Sequence, residues 1–364
     1  MKRITSLLLA LAMLSVILTA CTPAPAGNDE TEKSDDPAVT TGAPETPEET
    51  EAPEEPEEEP YAYLFAYFTG NSPNQEKIFY AVSTDGYNYT PLNRGNPILG
   101  SKSGTKCVRD PYIFKGHDGA YYMIGTDMMS DLGWSSNRNL ISWRSEDLLT
   151  WTDETIIKID GEFPVTKNTT RAWAPQAIWN DERGEYMIYF ALCSAGTKGR
   201  TIMYYAYSPD LKTLSTEPEV LLAPTNGRDA IDADIIFHDG KYHMFFKDES
   251  AGGIYYVTSD RMDGGYDYDE CKLVSRPGLA VEGSSTYELF DGSGWLFIAD
   301  AYGSGFFTMT YAETIEDFDY GIFRELDQDE FAFRNFTPRH GSVIHITKSE
   351  YDALVKKYPL MKIK

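Results

Sequence analysis

Residues 110–125 read DPYIFKGHDGAYYMIG, which is two short aromatic and aliphatic runs on either side of an Asp-Gly turn. The pattern recurs as APQAIWNDERGEYMIYF over 174–190, DADIIFHDGKYHMFF over 232–246 and EGSSTYELFDGSGWLFIA over 282–299. Two such runs joined by a turn that contains Gly predict a β-hairpin. The sequence therefore contains four copies of one hairpin, repeated at intervals of roughly 50–65 residues.

A fifth unit is split between the two ends of this repeating region. Each hairpin is followed by a further run that ends in a small polar motif, and a similar motif occurs at 83–89. The strand before that motif, YAYLFAYF at 61–68, lacks a first partner, whereas 340–346, HGSVIHI, is a strand with no hairpin of its own. We predict an all-β, five-bladed β-propeller with four-stranded antiparallel blades, whose ring is closed by the N- and C-terminal strands.

An alternative fold and the residues after the last strand both bear on this prediction. A two-sheet β-sandwich would also use these strands, but it would not explain the split fifth unit. After the last strand, the residues Thr347 to Glu350 form a capping-box motif, and apolar residues at helical spacing continue to Pro359. We expect a short C-terminal helix there.

The N-terminus has the pattern of an export signal. Lys2 and Arg3 precede the apolar stretch 6–20, which is too short for a convincing transmembrane helix. Leu18-Thr19-Ala20-Cys21 matches a bacterial lipobox, in which Cys21 is lipidated and becomes the mature first residue. The alternative is an ordinary signal peptide with an incidental Cys. We interpret 1–21 as a lipoprotein signal and expect the protein on the extracellular face of the bacterial envelope, attached to the membrane only through lipid.

Residues 22–60 have the composition of a disordered linker. They contain 14 acidic residues, eight Pro and one Lys, and all 25 Tyr, 18 Phe and 6 Trp of the chain lie in 61–364. Such a segment cannot bury enough apolar surface to offset its ordering entropy. We therefore expect an extended acidic stalk that carries a folded domain at 61–364.

Net charge and cysteine content exclude several classes of protein. The formal net charge is −25, so a large basic face for nucleic acid is not expected. After residue 20 the sequence has no apolar span long enough for a channel. Cys107, Cys193 and Cys271 form no metal-binding spacing, and their disulfide state stays open. We expect a monomer.

The repeat brings carboxylates together. The residues that open the five inner strands are, in chain order, Asp110, Ala174, Asp232, Glu282 and His340. The first strand of every blade lines the central axis of a propeller, so these side chains should converge at one mouth of the channel. Alternation would aim a second set the same way, namely Tyr112, Gln176, Asp234, Ser284 and Ser342.

Three carboxyl groups in one narrow space favour acid–base chemistry. Like charges raise at least one carboxyl pKa, so one group stays protonated while another is ionised. This division suits hydrolysis of a glycosidic bond. The alternative for each residue alone is a turn or cap, and a register slip of one residue would exchange Asp232 with Asp234. Trp173 and Trp134 lie near these strands and either bind a sugar face or pack between blades.

Five short motifs follow one another along the chain: Arg109-Asp110-Pro111-Tyr112, Trp173-Ala174-Pro175, Ile231-Asp232, Val281-Glu282-Gly283 and Arg339-His340-Gly341-Ser342. As an ordered set, they resemble glycoside hydrolase family 43 over roughly residues 61–346. The resemblance implies inverting arabinofuranosidases, arabinanases, xylosidases and galactanases acting on plant polysaccharides.

The resemblance also implies roles for individual residues. Asp110 matches the general base, Glu282 the general acid and Asp232 the residue that tunes the acid's pKa. His340 matches a histidine that in some members helps to hold calcium; no cofactor is otherwise required. Arg339 and His340 would join Trp173, Trp134 and Gln176 in binding substrate. Gln176 stands where an acid is frequent, and Ala233 and Ser284 stand where Pro is common, which leaves the sugar and its linkage open.

Two other classes of function use the same fold. One is a non-catalytic glycan-binding lipoprotein, in which the acids only hydrogen-bond sugar hydroxyls. The other is a related five-bladed fructosidase or glycoside phosphorylase, and the latter would need a cation such as Arg109 or Arg339 for phosphate. Release of reducing sugar and phosphate-dependent turnover distinguish these alternatives.

Overall fold

The computed structural model describes residues 58–362. The hairpin repeat becomes 21 strands within these residues. In chain order they are β1 Pro60–Tyr67, β2 Phe79–Ser83, β3 Asn88–Pro91, β4 Val108–Lys115, β5 Tyr121–Asp127, β6 Asn139–Ser145, β7 Thr152–Ile157, β8 Arg171–Asn180, β9 Glu185–Cys193, β10 Ile202–Ser208, β11 Glu219–Leu222, β12 Ala230–His238, β13 Lys241–Asp248, β14 Gly253–Ser259, β15 Lys272–Leu273, β16 Glu282–Glu288, β17 Trp295–Ala301, β18 Phe306–Ala312, β19 Arg324–Glu325, β20 Ala332–Phe333 and β21 Gly341–Thr347.

The strands form five separate sheets, and the predicted five-bladed β-propeller is confirmed. Four sheets are antiparallel meanders of four strands in chain order, β4–β7, β8–β11, β12–β15 and β16–β19. The fifth has the order β20-β3-β2-β1-β21, so it contains strands from both ends of the folded region. Its outermost strand, β20, pairs parallel to β3 and adds a fifth member that the repeat did not predict.

The ring is closed by the pairing of β1 with β21. The two strands are antiparallel, with Tyr67 opposite Gly341 and Tyr63 opposite His345. A Cβ at Gly341 would lie 2.0 Å from the carbonyl oxygen of Ala66, so the close approach of the two backbones requires glycine there. Closure through this pair joins the first and last segments of the propeller.

The hydrophobic core lies between neighbouring blades. Tyr189 and Met203 of the second complete blade pack with Ile235, Met244 and Phe246 of the next blade, and all five side chains are buried. Four further clusters fill the other interfaces in the same way. Since the core is distributed around the ring, the axis itself is free for polar side chains.

Two helices complete the fold, α1 Asp317–Tyr320 and α2 Lys348–Lys357. The predicted capping box at the start of α2 is confirmed: the Thr347 hydroxyl accepts from the Glu350 N–H, and the Glu350 carboxylate accepts from the Thr347 N–H at 2.8 Å. Leu354 is the helix residue whose side chain is buried. Within residues 58–362, no helix is both long enough and apolar enough to span a membrane.

The predicted boundary at residue 61 lies close to the start of the first strand. β1 begins at Pro60, and the Glu58 carboxylate accepts a hydrogen bond of 3.1 Å from the Ser349 N–H of α2. The predicted signal at 1–21, the lipidation site Cys21 and most of the predicted linker lie outside the described residues.

Candidate active site

A β-bulge interrupts the inner strand of each of the four complete blades near its beginning. The pairing register shifts between Arg109 and Tyr112 in β4, between Trp173 and Gln176 in β8, and at the matching places in β12 and β16. One residue of each bulge has a left-handed backbone conformation: Asp110 (φ 52°), Ala174 (φ 47°), Asp232 (φ 55°) and Gly283 (φ 59°). Non-glycine residues rarely adopt this conformation, and those that do often lie at functional sites.

The bulges correct the predicted alignment of the repeat by one residue in the fourth complete blade. Gly283, not Glu282, is equivalent to Asp110 and Asp232, because it carries the left-handed backbone. Glu282 is therefore equivalent to Arg109, the residue before the bulge. The bulge breaks the two-residue alternation, which is why simple spacing misaligned the fourth inner strand.

Beneath the bulges, a second layer of inner-strand residues links the blades around the axis. The Ser342 hydroxyl accepts from the Ile113 N–H at 2.8 Å, and the Ser285 hydroxyl accepts from the Val343 N–H at 3.1 Å. The Asp234 carboxylate accepts from the Thr286 N–H at 2.7 Å. The predicted member Ser284 is wrong by one residue, because the bulge places Ser285 in this layer. We call Tyr112, Gln176, Asp234, Ser285 and Ser342 the axial layer.

Above the axial layer lies a cavity of about 470 Å³, and the structure brings most of the predicted site residues to its walls. Those residues are Asp110, Asp232, Glu282, Trp134, Trp173, Arg339 and His340. Gln176 is the exception. It is buried in the axial layer, where its side-chain oxygen accepts from the Tyr189 hydroxyl at 2.6 Å.

Asp110 is held at the cavity wall by two neighbouring blades. The Thr126 hydroxyl of β5 donates to Asp110 Oδ2 at 2.8 Å, and the same hydroxyl accepts from the Ala174 N–H of β8 at 2.8 Å. The other oxygen, Oδ1, lies 3.5 Å from His340 Nδ1. The hydroxyl therefore connects the carboxylate to the next blade and fixes its orientation.

Asp232 is the most buried of the three cavity carboxyl groups, with 8% of its side chain exposed. Its Oδ2 accepts from the Gly283 N–H at 3.1 Å and lies 3.8 Å from His340 Nδ1. Burial raises the pKa of Asp232 well above its ordinary value, and repulsion from Glu282 and Asp110 adds to this effect. Asp232 is therefore the carboxyl group of the three whose protonated form is most favoured.

Glu282 has the opposite electrostatic environment. The Lys247 ammonium lies 2.9 Å from its Oε2, and the Arg339 guanidinium lies 3.0 Å from its Oε1. Burial opposes ionisation of Glu282, but the attraction of Lys247 and Arg339 outweighs it and lowers the pKa of Glu282 below the ordinary value. The two neighbouring carboxyl groups therefore shift in opposite directions: the ionised form of Glu282 and the protonated form of Asp232 are favoured.

Both cations on Glu282 have a second acidic partner. Lys247 contacts Glu249 at 2.7 Å, and Arg339 Nε donates to the buried carboxylate of Asp300. Burial raises the pKa of Asp300 to about 6, although Arg339 opposes the shift. Each cation thus bridges two acids, which compensates for the cost of its burial.

Sequence reasoning missed Lys247, Asp300 and Thr126, although one signal identifies them. Each lies on the second strand of its hairpin, directly opposite the residue that precedes the bulge: Thr126 opposite Arg109, Lys247 opposite Ile231, and Asp300 opposite Glu282. A polar residue at the end of an otherwise apolar second strand, at the same position in three hairpins, is the pattern that could have revealed this set.

The two tryptophans form one corner of the cavity. Their rings meet edge to face with centroids 6.4 Å apart, and Trp134 is 50% exposed. The Arg171 guanidinium lies 4.8 Å from the Trp173 ring. Trp134 is available to a ligand, whereas Trp173 also packs against blade residues.

His340 lies against Gly283. A Cβ at Gly283 would be 2.3 Å from His340 Cγ, so only glycine permits this contact. Calcium prefers six to eight oxygen ligands. Within 4.0 Å of a His340 nitrogen, the described residues offer carboxylate oxygens from Asp110 and Asp232 alone, and Asp232 favours its protonated form. These residues do not by themselves fit a calcium site, and we assign no step to a metal.

A separate group could hold a metal. His238, Asp239 and Glu316 place their ligand atoms within 4.8 Å of one another, in a set that does not include His340. Cys107, Cys193 and Cys271 are free thiols in this structure.

Solved structures share the fold. A xylan β-1,4-xylosidase from Bacillus halodurans superposes with a TM-score of 0.51 at 14% identity, over 66% of this chain and 46% of that chain. An endo-1,4-β-xylanase from Bacteroides thetaiotaomicron superposes with a TM-score of 0.51 at 16% identity, over 77% of this chain and 93% of that chain. At such low identity these similarities support the fold alone.

Sequence comparison finds a closer similarity. An α-L-arabinofuranosidase from Bifidobacterium longum subsp. longum is 28% identical over an alignment of 224 residues that covers 54% of this chain and 20% of the relative. The match thus spans about a fifth of the relative's length. The model of the family described as "Probable glycosyl hydrolase domain", which is related to glycoside hydrolase family 43, matches residues 59–352. The chain therefore belongs to this family of glycosyl hydrolase domains.

Proposed function

We propose that the protein is a glycoside hydrolase that cleaves O-glycosidic bonds in plant-type polysaccharides or oligosaccharides of the arabinofuranoside, xyloside or galactoside class. The observation that carries the proposal is the unequal environment of three carboxyl groups at one cavity. Among residues 58–362, no Lys or Arg nitrogen lies within 4.0 Å of the buried Asp232 carboxylate, whereas Glu282 contacts both Lys247 and Arg339. The arabinofuranosidase relative supports the arabinofuranoside as the first substrate to test.

In this proposal Asp110 is the general base. Its Oδ2 accepts from Thr126, which leaves further lone pairs on the carboxylate for a water molecule. That water would attack the anomeric carbon as Asp110 removes its proton, and the bond to the leaving oxygen would break. Thr126 therefore fixes the direction in which the base points.

Glu282 is the general acid in this proposal, and its lowered pKa makes proton supply a distinct step. Burial and repulsion from Glu282 and Asp110 raise the pKa of Asp232, so the pair holds a proton more readily on Asp232 than on Glu282. A sugar in the cavity would exclude solvent, and this desolvation disfavours the charged form of Glu282 and raises its pKa. The proton shared by the pair can then move to the oxygen of the leaving group.

We further propose that the reaction inverts the anomeric configuration. In a single displacement the water and the acid act on opposite faces of the sugar, and their carboxyl groups stand ~6.5–9.5 Å apart. A bridging water then fits between the base and the anomeric carbon. A retaining enzyme would instead use one carboxylate as a nucleophile at about 5 Å.

The function is tested by a substrate screen of the full chain. Aryl arabinofuranosides, xylosides and galactosides are incubated with the protein in parallel with arabinan, xylan and galactan, and release of phenol or reducing sugar is measured. We expect turnover of at least one of these substrates without added phosphate. Binding of a polysaccharide without release of reducing sugar would instead indicate a glycan-binding protein.

We also propose that Cys21 carries lipid that anchors the protein at the extracellular face of the envelope. The lipobox pattern and the acidic, Pro-rich segment behind it support this location. Replacement Cys21→Ser should release the protein from the membrane fraction and abolish incorporation of labelled fatty acid; retention with label would contradict it.

A further inference from the structure

One cation at the cavity differs from the others in its electrostatic partners. Arg109 contacts Glu76 at 3.1 Å, Lys247 contacts Glu249 and Glu282, and Arg339 contacts Asp300 and Glu282. Arg171 also lines the cavity, but among residues 58–362 no carboxylate oxygen lies within 4.0 Å of its guanidinium. Its positive charge is thus the one at this cavity that the described residues leave without an acidic partner.

The Arg171 side chain is nevertheless held in place. Its NH1 donates to the Thr201 hydroxyl at 2.8 Å, and its guanidinium lies 4.8 Å from the Trp173 ring centroid. Thr201 is buried, so this anchor is rigid. A fixed guanidinium loses little conformational entropy when it binds a ligand, which favours tight recognition.

Unsatisfied donors mark the same corner. Arg171 Nε and Trp173 Nε1 are both buried and have no hydrogen-bond partner in the described structure. Buried donors normally find an acceptor. These two atoms have almost no exposed surface, so they add positive potential to this corner, and the part of the Arg171 guanidinium that lines the cavity is what a negatively charged ligand would contact.

We propose that Arg171 and the two tryptophans form a subsite for a sugar that carries a carboxylate, such as a uronic acid unit of the polysaccharide. The planar guanidinium matches a carboxylate in shape and can bind both of its oxygens. The exposed ring of Trp134 offers a flat surface to the sugar. This inference rests on the proposed function, since it assigns the occupant of the same cavity.

The subsite differs from the bond-cleaving groups in charge and in position along β8. Arg171 lies three residues before Ala174, the bulge residue of its strand, whereas Asp110 and Asp232 lie in the bulges of theirs. An acidic unit at Arg171 would thus occupy the cavity corner next to the Trp pair. The three carboxyl groups would remain available for the glycosidic bond.

The subsite is tested by measuring how tightly a variant that should not hydrolyse glycosides binds pairs of ligands that differ only in a carboxyl group. The full chain with Glu282→Gln is titrated by calorimetry with xylooligosaccharides that carry a glucuronic acid branch. The matched ligand is the same oligosaccharide after chemical reduction of the carboxyl group to an alcohol. Oligogalacturonides and their reduced forms make a second pair. We expect at least one acidic ligand to bind tenfold or more tightly than its reduced form, because only the carboxylate can form a charge-assisted hydrogen bond with the guanidinium.

Variants in the same background identify the residue. Arg171→Met should remove the preference for the acidic ligand and leave the affinity for the reduced ligand within about twofold, whereas Arg171→Lys should keep part of the preference because the charge remains. Lys198→Met is the control, because it removes one positive charge from an exposed loop residue outside the cavity.

Two outcomes would overturn the inference. One is equal affinity for both members of each pair in the protein with Arg171 intact. The other is acceleration of wild-type turnover by inorganic phosphate that Arg171→Met abolishes, which would assign the cation to phosphate. Preferential binding of the acidic ligand with no hydrolysis of any glycoside by the wild-type protein would contradict the proposed function but leave the subsite standing.

Discussion

Asp232 and Asp234 are two residues apart on one strand, and both are buried, yet they belong to different regions of the molecule. Asp232 lies in the bulge, with a left-handed backbone, and faces the cavity with His340 and Glu282 nearby. Asp234 lies in the regular part of the strand and accepts a hydrogen bond from the Thr286 N–H of the next blade.

The difference shows how one strand can serve both chemistry and stability. The bulge directs side chains into a cavity where charges are close and unevenly paired. In the axial layer beneath it, the side chains of Asp234, Ser285 and Ser342 each accept from a backbone N–H of the neighbouring blade. A carboxyl group in the first region is expected to affect catalysis, and one in the second region is expected to affect folding stability.

The largest expected effect is on the cavity side. Glu282→Gln should lower kcat on natural glycosides by about 10²–10⁴-fold, because the leaving oxygen loses its proton donor. Aryl glycosides with strongly acidic phenols should be affected much less. Glu288→Gln, at the other end of β16, is the control and should retain activity. Undiminished hydrolysis by Glu282→Gln would remove Glu282 from the mechanism.

On the axial side, Asp234→Asn should change how stability depends on pH. Burial raises the pKa of Asp234 to about 6, so the folded state keeps a proton that the unfolded state releases near pH 4. Wild-type stability contributed by this group is therefore present below pH 4 and is lost as the pH rises to about 6.

The Asn side chain cannot ionise, yet it can still accept from Thr286. Asp234→Asn should thus gain up to about 3 kcal/mol over wild type between pH 4 and pH 7, measured by denaturant unfolding. Asp239→Asn, at an exposed turn, is the control. A difference between Asp234→Asn and wild type that does not change with pH would show that burial does not raise the pKa of Asp234.

Alanine substitutions at two glycines distinguish the effect of backbone strain from the effect of a side chain that disturbs the cavity. Gly283→Ala and Gly278→Ala both place a side chain on a left-handed backbone, at φ 59° and φ 78°, which should cost about 1–2 kcal/mol of stability in each case. At Gly278 no atom lies within 4 Å of the added Cβ, whereas at Gly283 the Cβ meets His340. Only Gly283→Ala should also lower kcat/KM, by roughly tenfold or more from the loss of side-chain positioning. Equal activities of the two variants would contradict this role.

The smallest expected effect is a shift in the pH dependence of kcat/KM. Lys247→Met removes one of the two cations on Glu282, so the pKa of Glu282 should rise. Because the general acid must be protonated, the alkaline limb of kcat/KM should move to higher pH by about one unit. Lys241→Met, exposed at the start of β13, is the control. An alkaline limb of kcat/KM that does not move would show that Lys247 does not lower the pKa of Glu282.

The hairpin repeat predicted the blades and the closure of the ring because both depend on strand patterning, which the sequence shows directly. It also predicted that Asp110, Asp232 and Glu282 would meet. The bulges could not be predicted, because Asp110, Ala174 and Asp232 adopt a left-handed backbone that their residue types do not demand. For that reason Ser284 was placed in the axial layer instead of Ser285, and Gln176 was expected in the cavity.

The role of Lys247 could not be predicted from the sequence for a different reason. Lys247 lies near the end of an apolar second strand, and its ion pair with Glu282 joins residues far apart in sequence. The protonation of Asp232 and the ionisation of Glu282 depend on this three-dimensional placement, not on the order of residues.

In the proposed mechanism Asp110 and Glu282 act from opposite faces of the sugar in a single displacement. This is tested by the proton NMR spectrum of the first product that the full chain releases from an aryl glycoside, recorded before mutarotation. We expect the anomer of inverted configuration from the wild-type protein and no such product from Asp110→Asn. A first product of retained configuration would rule out the single displacement.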